Sequence, residues 1–376
     1  MFIKLIALIN LCLSLFSYNE PVIYTNENVT LDRMVQQIHT LEVDINDPYV
    51  TIKNALSFGK AYGFEETSVM VNDNEAIAGV NGTFYTMYGH HLGLLIKDGK
   101  LETMAKDYSP IVAFLESGKV YIGDIKTEVK VEGKTNTITV DTMNDAAFEE
   151  SWVLYSDIYG RTTRITRNSI NYVIENNRVI DKIITDNPID ITRGSYILSR
   201  VTEDPEKYDL LTVNEEVEIE IIYNPDMGKI KEGFQSGGWL VKDSINVAKD
   251  YEPLMGNTNI LNPRTALGVT EDNKIIIKVI DGRQPNYSYG ITGKTCADIM
   301  LEEGCINAVY LDGGASSTMV YNKEVVNSPS MNTERKVAHS ILIDYEKNDF
   351  MFMIDKIGEF IDNLLNDLFN FQESIS

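Results

Sequence analysis

Residues 262–285 read NPRTALGVTEDNKIIIKVIDGRQP, and the fold class turns on how this stretch pairs with itself and with the strand downstream. Two strand-like runs, Thr265 to Thr270 and Lys274 to Ile280, flank the polar turn Glu271-Asp272-Asn273. That pattern predicts a β-hairpin. In an antiparallel pair the start of one strand lies beside the end of the other, so Arg264 is expected near Asp281 and Arg283. Downstream, Thr295 to Glu303 reads as a helix closed by Gly304, and INAVYL (Ile306 to Leu311) as a buried strand. Strand, helix, strand implies a parallel crossover. Parallel strands finish at the same edge of a sheet, so Asp281 and Asp312 are expected on one edge, where ligands commonly sit. The fold class is therefore α/β in the mixed, α+β sense. It has a mixed sheet with hairpins, one βαβ crossover and many short strands.

The run after that second strand, residues 308–320, reads AVYLDGGASSTMV. Gly313 and Gly314 let the backbone approach a ligand closely. Successive N–H groups, with the hydroxyls of Ser316, Ser317 and Thr318, suit anionic oxygens. Arg264 and Arg283 carry charge shaped for phosphate or carboxylate. Each fragment alone is an ordinary turn or surface ion pair; their convergence makes an anion pocket with two carboxylates beside it. Other chemistries fit poorly. Ser316 lacks the second glycine of a nucleophile elbow. His90 and His91 are adjacent, without metal-ligand spacing, so no metal site is read. No Walker-type phosphate loop occurs.

The chain has 376 residues, enough for one large domain or two ordinary ones, and 43% of them are hydrophobic. Lys and Arg number 33 against 56 Asp and Glu, a net charge of −23 that repels nucleic acid. The start, MFIKLIALINLCLSLFSYNE, reads as a secretory signal over residues 1–18, implying a secreted or cell-surface protein; the alternative is a buried first strand or helix. No later run reaches the ~18 apolar residues that span a bilayer, so stable membrane insertion is not expected. Cys296 and Cys305 bracket the expected helix, which would hold their Cα atoms too far apart to bridge. Residues 19–75 form a strand-rich segment that includes IHTLEVDI (Ile38 to Ile45). Residues 76–346 form the main domain, with hairpin signals at Asp98-Gly99 and in YVIENNRVIDKII. In residues 347–376 apolar side chains recur in a heptad seam from Phe350 to Phe371. This C-terminal amphipathic helix either docks on its own domain or joins copies into a homo-oligomer.

The stretches GVNGTFY, LGLLIKDGK, VLYSDIYG, SGGWLVKD, NPRTALGVT, IDGRQPNYSYGIT, LDGGASSTMV and VVNSPSMNTERKVAHSILI occur in that order from about Ala76 to Asp344. Together they resemble the phosphodiester glycosidases related to the lysosomal uncovering enzyme. The resemblance implies hydrolysis of the C1–O bond between a sugar and a phosphodiester, in a mixed α/β domain, with no organic cofactor. A divalent metal is left open. On this basis Asp312 is assigned as nucleophile or base beside C1, and Asp281 as a second carboxylate or as the orienter of the arginines. Arg264 and Arg283 would hold the departing phosphate, helped by Gly313, Gly314, Ser316, Ser317 and Thr318. Asn81 would bind a sugar hydroxyl, and Arg335 and His339 would complete the substrate contacts. The family pattern has glycine at Ala315 and Thr83, proline at Lys336 and asparagine near His339, and it differs again at Ser236 and Trp239. These departures either reshape the sugar pocket or abolish activity. A cell-surface, capsular or teichoic-type glycan is the expected setting for the sugar-1-phosphodiester substrate. Two other readings stand beside this one: a non-catalytic sugar-phosphate-binding module of a surface or phage structure, and a metal-dependent phosphodiesterase.

Overall fold

Alternation along Lys274–Ile280 sorts the core. Ile275, Ile277 and Val279 face one buried cluster, while Ile276 and Ile280 face another. A strand buried on both faces must be a central one. The computed structural model, which describes residues 20–346, shows how this is arranged. The elements that build the site are β1 (Val22–Leu31), β2 (Met34–Asp44), β3 (Val50–Leu56), α1 (Thr67–Asp73), β4 (Ala78–Asn81) and β5 (Trp239–Lys242). They continue with β6 (Arg264–Thr270), β7 (Lys274–Ile280), α2 (Gly293–Glu302), β8 (Cys305–Tyr310), β9 (Met319–Tyr321) and β10 (His339–Tyr345).

The first sheet runs β1-β2-β7-β6-β8-β5 and ends on Ile245–Asn246; the second runs Glu324–Val325, β9, β4, β10, β3. The expected hairpin is present, with Arg264 opposite Ile280. The crossover differs in one respect. β7 and β8 both lie antiparallel to β6, so they point the same way but are not neighbours. The hairpin's first strand has entered between them, and all neighbouring pairs in this sheet are antiparallel. Asp281 and Asp312 still leave at the same edge, because direction survives the insertion.

Four layers result. α2 packs Cys296, Ala297 and Met300 on one face of the first sheet. The other face meets the second sheet through Leu267, Ile277, Val309, Val80 and Ile341. α1 closes the far side with Met70 and Val71. Gly268 is required under α2, since a methyl there would meet Cys305 Sγ at 2.6 Å and Met300 Cε at 2.8 Å. Thr292 caps α2 by accepting from the Thr295 N–H. Lys278 is fully buried on that face, with Nζ bonded to Thr40 Oγ1 at 2.8 Å and Glu303 Oε1 at 2.7 Å. A buried charge needs such partners.

Residues 20–75 are woven into both sheets: β2 pairs with β7, and β3 pairs with β10. The remaining sheets flank this sandwich. Their hairpins turn at Asp98-Gly99 and Asn176-Asn177, all four residues at positive φ, as a two-residue primed turn demands. Cys296 and Cys305 are buried and free. The signal-like start and the seam from Phe350 to Phe371 lie outside the described residues.

Candidate active site

Five chain segments reach one edge of the sandwich. β4 ends at Asn81, β6 begins at Arg264, Asp281 follows β7, Asp312 follows β8, and Thr318 precedes β9. Asn81 ties them together. Its Oδ1 accepts from Thr265 Oγ1 at 2.9 Å and from the Thr318 N–H at 3.1 Å. Its Nδ2 donates to the carbonyls of Asp312 at 2.6 Å and Gly82 at 3.4 Å. The side chain is fully buried and its hydrogen-bonding capacity is spent. Nothing remains for the sugar hydroxyl expected there; Asn81 fixes the Asp312 loop.

That loop is clamped on both sides. The Asp312 N–H donates to Gly82 O at 3.1 Å and the Gly314 N–H to Pro263 O at 2.9 Å. Gly314, at φ +63°, starts the short turn Gly314–Ser316. The Asp312 side chain is half-buried. Burial pushes its carboxyl up to about 6, against the opposing pull of the Ser316 hydroxyl, the Arg335 charge and the Gly313 N–H. Tyr85 completes the cluster. Its hydroxyl lies 3.4 Å from Ser316 Oγ, and the Arg335 guanidinium sits 6.0 Å from its ring centre. Burial raises the Tyr85 phenol, and the Asp312 charge adds to that.

The two arginines part company. Arg283 is exposed, at φ +61°, and its Nε donates to Asn262 Oδ1 at 2.9 Å. Its guanidinium lies over Gly314, where a methyl would meet Nη2 at 3.0 Å. It therefore presents charge at the Asp312 loop. Arg264 is buried, with Nε on the Ile291 carbonyl and Nη2 on the Thr258 and Ile260 carbonyls. It anchors the segment ahead of β6.

Asp281 is also closed off. Its carboxylate accepts from Asn327 Nδ2 and the Ser328 N–H at 2.9 Å and from Tyr287 OH at 3.2 Å, and it lies 3.3 Å from His39 Nε2. None of these partners is an arginine. Asn327 passes the constraint on, donating to Ser317 O and accepting from the Met319 N–H. Ser317 Oγ lies 3.1 Å from Thr265 Oγ1, and Thr318 Oγ1 is buried without a partner among the described residues. His339 lies beneath the loop. Its Nε2 lies 2.9 Å from Asn54 Oδ1 and its Nδ1 accepts the Thr83 N–H at 3.2 Å. Burial holds its pKa well below the usual histidine range. Thr83 and His339, two of the departures from the family pattern, thus touch each other.

The structure brings together Asp312, Gly313, Gly314, Arg283 and Arg335 as an accessible group, with the Ser316 side chain buried against it. Asn81, Arg264, Asp281, Ser317, Thr318 and His339 form the buried frame behind it. Sequence reasoning missed Tyr85, although it stands in GVNGTFY beside Asn81, and missed Asn327, although it stands in VVNSPS. His39 gave no signal, since its place against Asp281 depends on β2 pairing with β7.

Residues 158–344, close to half of the chain, match the family model for phosphodiester glycosidases. Over these residues the chain is similar to the phosphodiester glycosidase family. Over 136 residues, 36% of the chain, it is 35% identical to an uncharacterized SPbeta prophage-derived protein, YomE, of Bacillus subtilis. Over 72 residues, 19% of the chain, it is 32% identical to N-acetylglucosamine-1-phosphodiester alpha-N-acetylglucosaminidase of Bos taurus. These matches span 20% and 13% of the two relatives. The fold is similar to a crystal structure of a hypothetical protein from Synechocystis, at TM-score 0.75 and 15% identity, covering 88% of this chain and 63% of that one. The glycosidase match contains Arg264, Asp281, Arg283, Asp312 and Arg335, while Asn81 and Tyr85 come from the segment before it.

Proposed function

We propose that the chain is a hydrolase that cleaves the C1–O bond of a sugar-1-phosphodiester, with Asp312 as general base. One observation carries this reading: a half-buried carboxyl pushed up to about 6 that feels the Arg335 charge, in a loop whose Gly314 lies under the Arg283 guanidinium. A base poised near neutrality is ionised at working pH and still accepts a proton readily. A phosphomonoester is a good leaving group and needs little protonation. In the step, a water oxygen bonds to C1 and its proton passes to Asp312. The C1–O bond breaks, and its electron pair leaves with the phosphate. Arg283 and Arg335 hold the growing phosphate charge. The Ser316 hydroxyl and Gly313 N–H fix Asp312, and Tyr85 borders the sugar. Asp281 already accepts three hydrogen bonds and faces His39, so a single carboxylate acts, which favours attack by water and inversion at C1.

The signal-like start and acidic composition support export and a capsular or teichoic-type glycan as the source of substrate. The test is mass spectrometry of products from a panel of sugar-1-phosphodiesters hydrolysed in ¹⁸O water. Label in the sugar supports C–O cleavage. Label in the phosphate means P–O cleavage, and binding without products means a sugar-phosphate-binding module; either result overturns the proposal.

A further inference from the structure

A cavity of about 590 Å³ opens beside β5, lined by Tyr108, Trp239, Glu252, Lys106, Lys126 and Lys249, among others. Its wall is continuous with the Asp312 strand. The Gly237 N–H donates to Tyr310 O at 2.8 Å and the Tyr310 N–H to Gly238 O at 3.0 Å, two residues ahead of Asp312. The hairpin Tyr251–Glu252 with Gly256–Asn257 reaches both places. It turns Glu252 onto the cavity, while Met255 Cε comes within 3.7 Å of where a Cβ on Gly313 would lie. Arg264, through the Thr258 and Ile260 carbonyls, pins the base of this hairpin.

Glu252 is the unusual residue. It is 3% exposed, and its Oε1 has no hydrogen-bond donor among the described residues. The nearest cation, Lys249 Nζ, is 3.9 Å away. Gly238, at φ +138°, makes room for it, since a methyl there would meet Glu252 Cδ at 2.6 Å. Buried carboxylates ordinarily have partners, and one left open at a cavity wall is set to accept from a ligand. The Tyr108 hydroxyl is likewise buried and unpartnered among the described residues.

The charges are balanced. Asp107, Asp124 and Glu252 face the three lysines, so the cavity has no net attraction for phosphate. Alternating amines and carboxylates around Trp239 and Tyr108 suit a ligand with many hydroxyls and an apolar ring face. We infer that this cavity binds a second sugar unit of the same glycan, next to the one that reacts at Asp312. The substrate is then an oligosaccharide or polysaccharide carrying the phosphodiester, which rests on the reaction proposed above; binding itself does not.

Trp239 gives a direct readout, because the other tryptophan, Trp152, is buried in a separate core cluster. Titration with maltotriose and chitotriose, followed by tryptophan emission, is expected to give a saturable change that is absent in Trp239→Phe. Glu252→Gln and Tyr108→Phe should each weaken binding about tenfold, with thermal unfolding no lower than that of wild type, and Asp312→Asn should bind as wild type. The inference is overturned by no saturable change with either sugar, by full binding in Glu252→Gln, or by loss of binding in Asp312→Asn. Because the readout is the binding of sugars that carry no phosphodiester and needs no turnover, failure of the proposed reaction leaves it intact.

Discussion

Asn81 Nδ2 donates to the main-chain carbonyl of Asp312 at 2.6 Å, joining the last residue of β4 to the loop that bears the proposed base. The same amide holds Thr265 and the Thr318 N–H, so one side chain spans both sheets at the site. Asn81→Ala removes four buried hydrogen bonds and leaves their partners unsatisfied. It is expected to lower stability by about 2–4 kcal/mol. Urea unfolding would measure it. Activity should fall even where the variant is folded, because the Asp312 loop loses its clamp.

Replacing the base itself separates chemistry from folding. Asp312→Asn keeps the shape and the Ser316 and Gly313 contacts but cannot take a proton. General-base loss costs about 10²–10⁴ in rate, so kcat is expected to drop in that range with KM little changed. Sugar release measured at saturating substrate checks this. A folded Asp312→Asn protein with wild-type kcat would remove Asp312 from the mechanism.

The pH behaviour comes from the same carboxyl. Burial raises it from its ordinary value to about 6, and the Arg335 charge pulls it down. Activity needs the ionised form, so kcat/KM should rise with pH and level off above about 6. Arg335→Gln removes the opposing charge, so the acid limb should move to higher pH. Stability runs the other way. A raised carboxyl favours the folded state below its unfolded pKa and loses that contribution as pH rises through about 6. Relative to wild type, Asp312→Asn should therefore gain Tm more at pH 8 than at pH 4.

The hairpin from Arg264 to Ile280 and the crossover to Asp312 were legible because turn residues and apolar run lengths are local signals. The insertion of β6 between β7 and β8 was not, since neither strand's pattern says which buried strand becomes its neighbour. The site shows the same division. Asp312, Gly313 and Gly314 announce themselves in LDGGASS, and direction alone brings Asp281 to the same edge. Which way a side chain turns is set by contacts far away in sequence. Arg264 and Arg283 look alike as residue types. One meets the Ile291, Thr258 and Ile260 carbonyls and is buried; the other lies across Gly314 and is exposed. Asp281 is closed by His39 and Asn327, which lie 242 and 46 residues away.

That division gives the last prediction. Arg283 is exposed, and the one hydrogen bond described for its side chain is to Asn262. Arg283→Ala should therefore change Tm little. Because it faces the phosphate in the proposed reaction, the same change should lower kcat/KM by about 10–100-fold, the scale of a lost charge-assisted contact. Added salt should weaken wild-type turnover more than that of the variant, since part of the attraction screened by salt is already gone. Arg264→Ala should behave oppositely. It exposes three buried carbonyls to loss of their donor and leaves a cavity beneath α2, for an expected cost of about 3 kcal/mol or more. Calorimetry and steady-state kinetics on the two variants test the assignment together. A stable, slow Arg264→Ala beside an unstable, fast Arg283→Ala would reverse the roles given to the two guanidiniums.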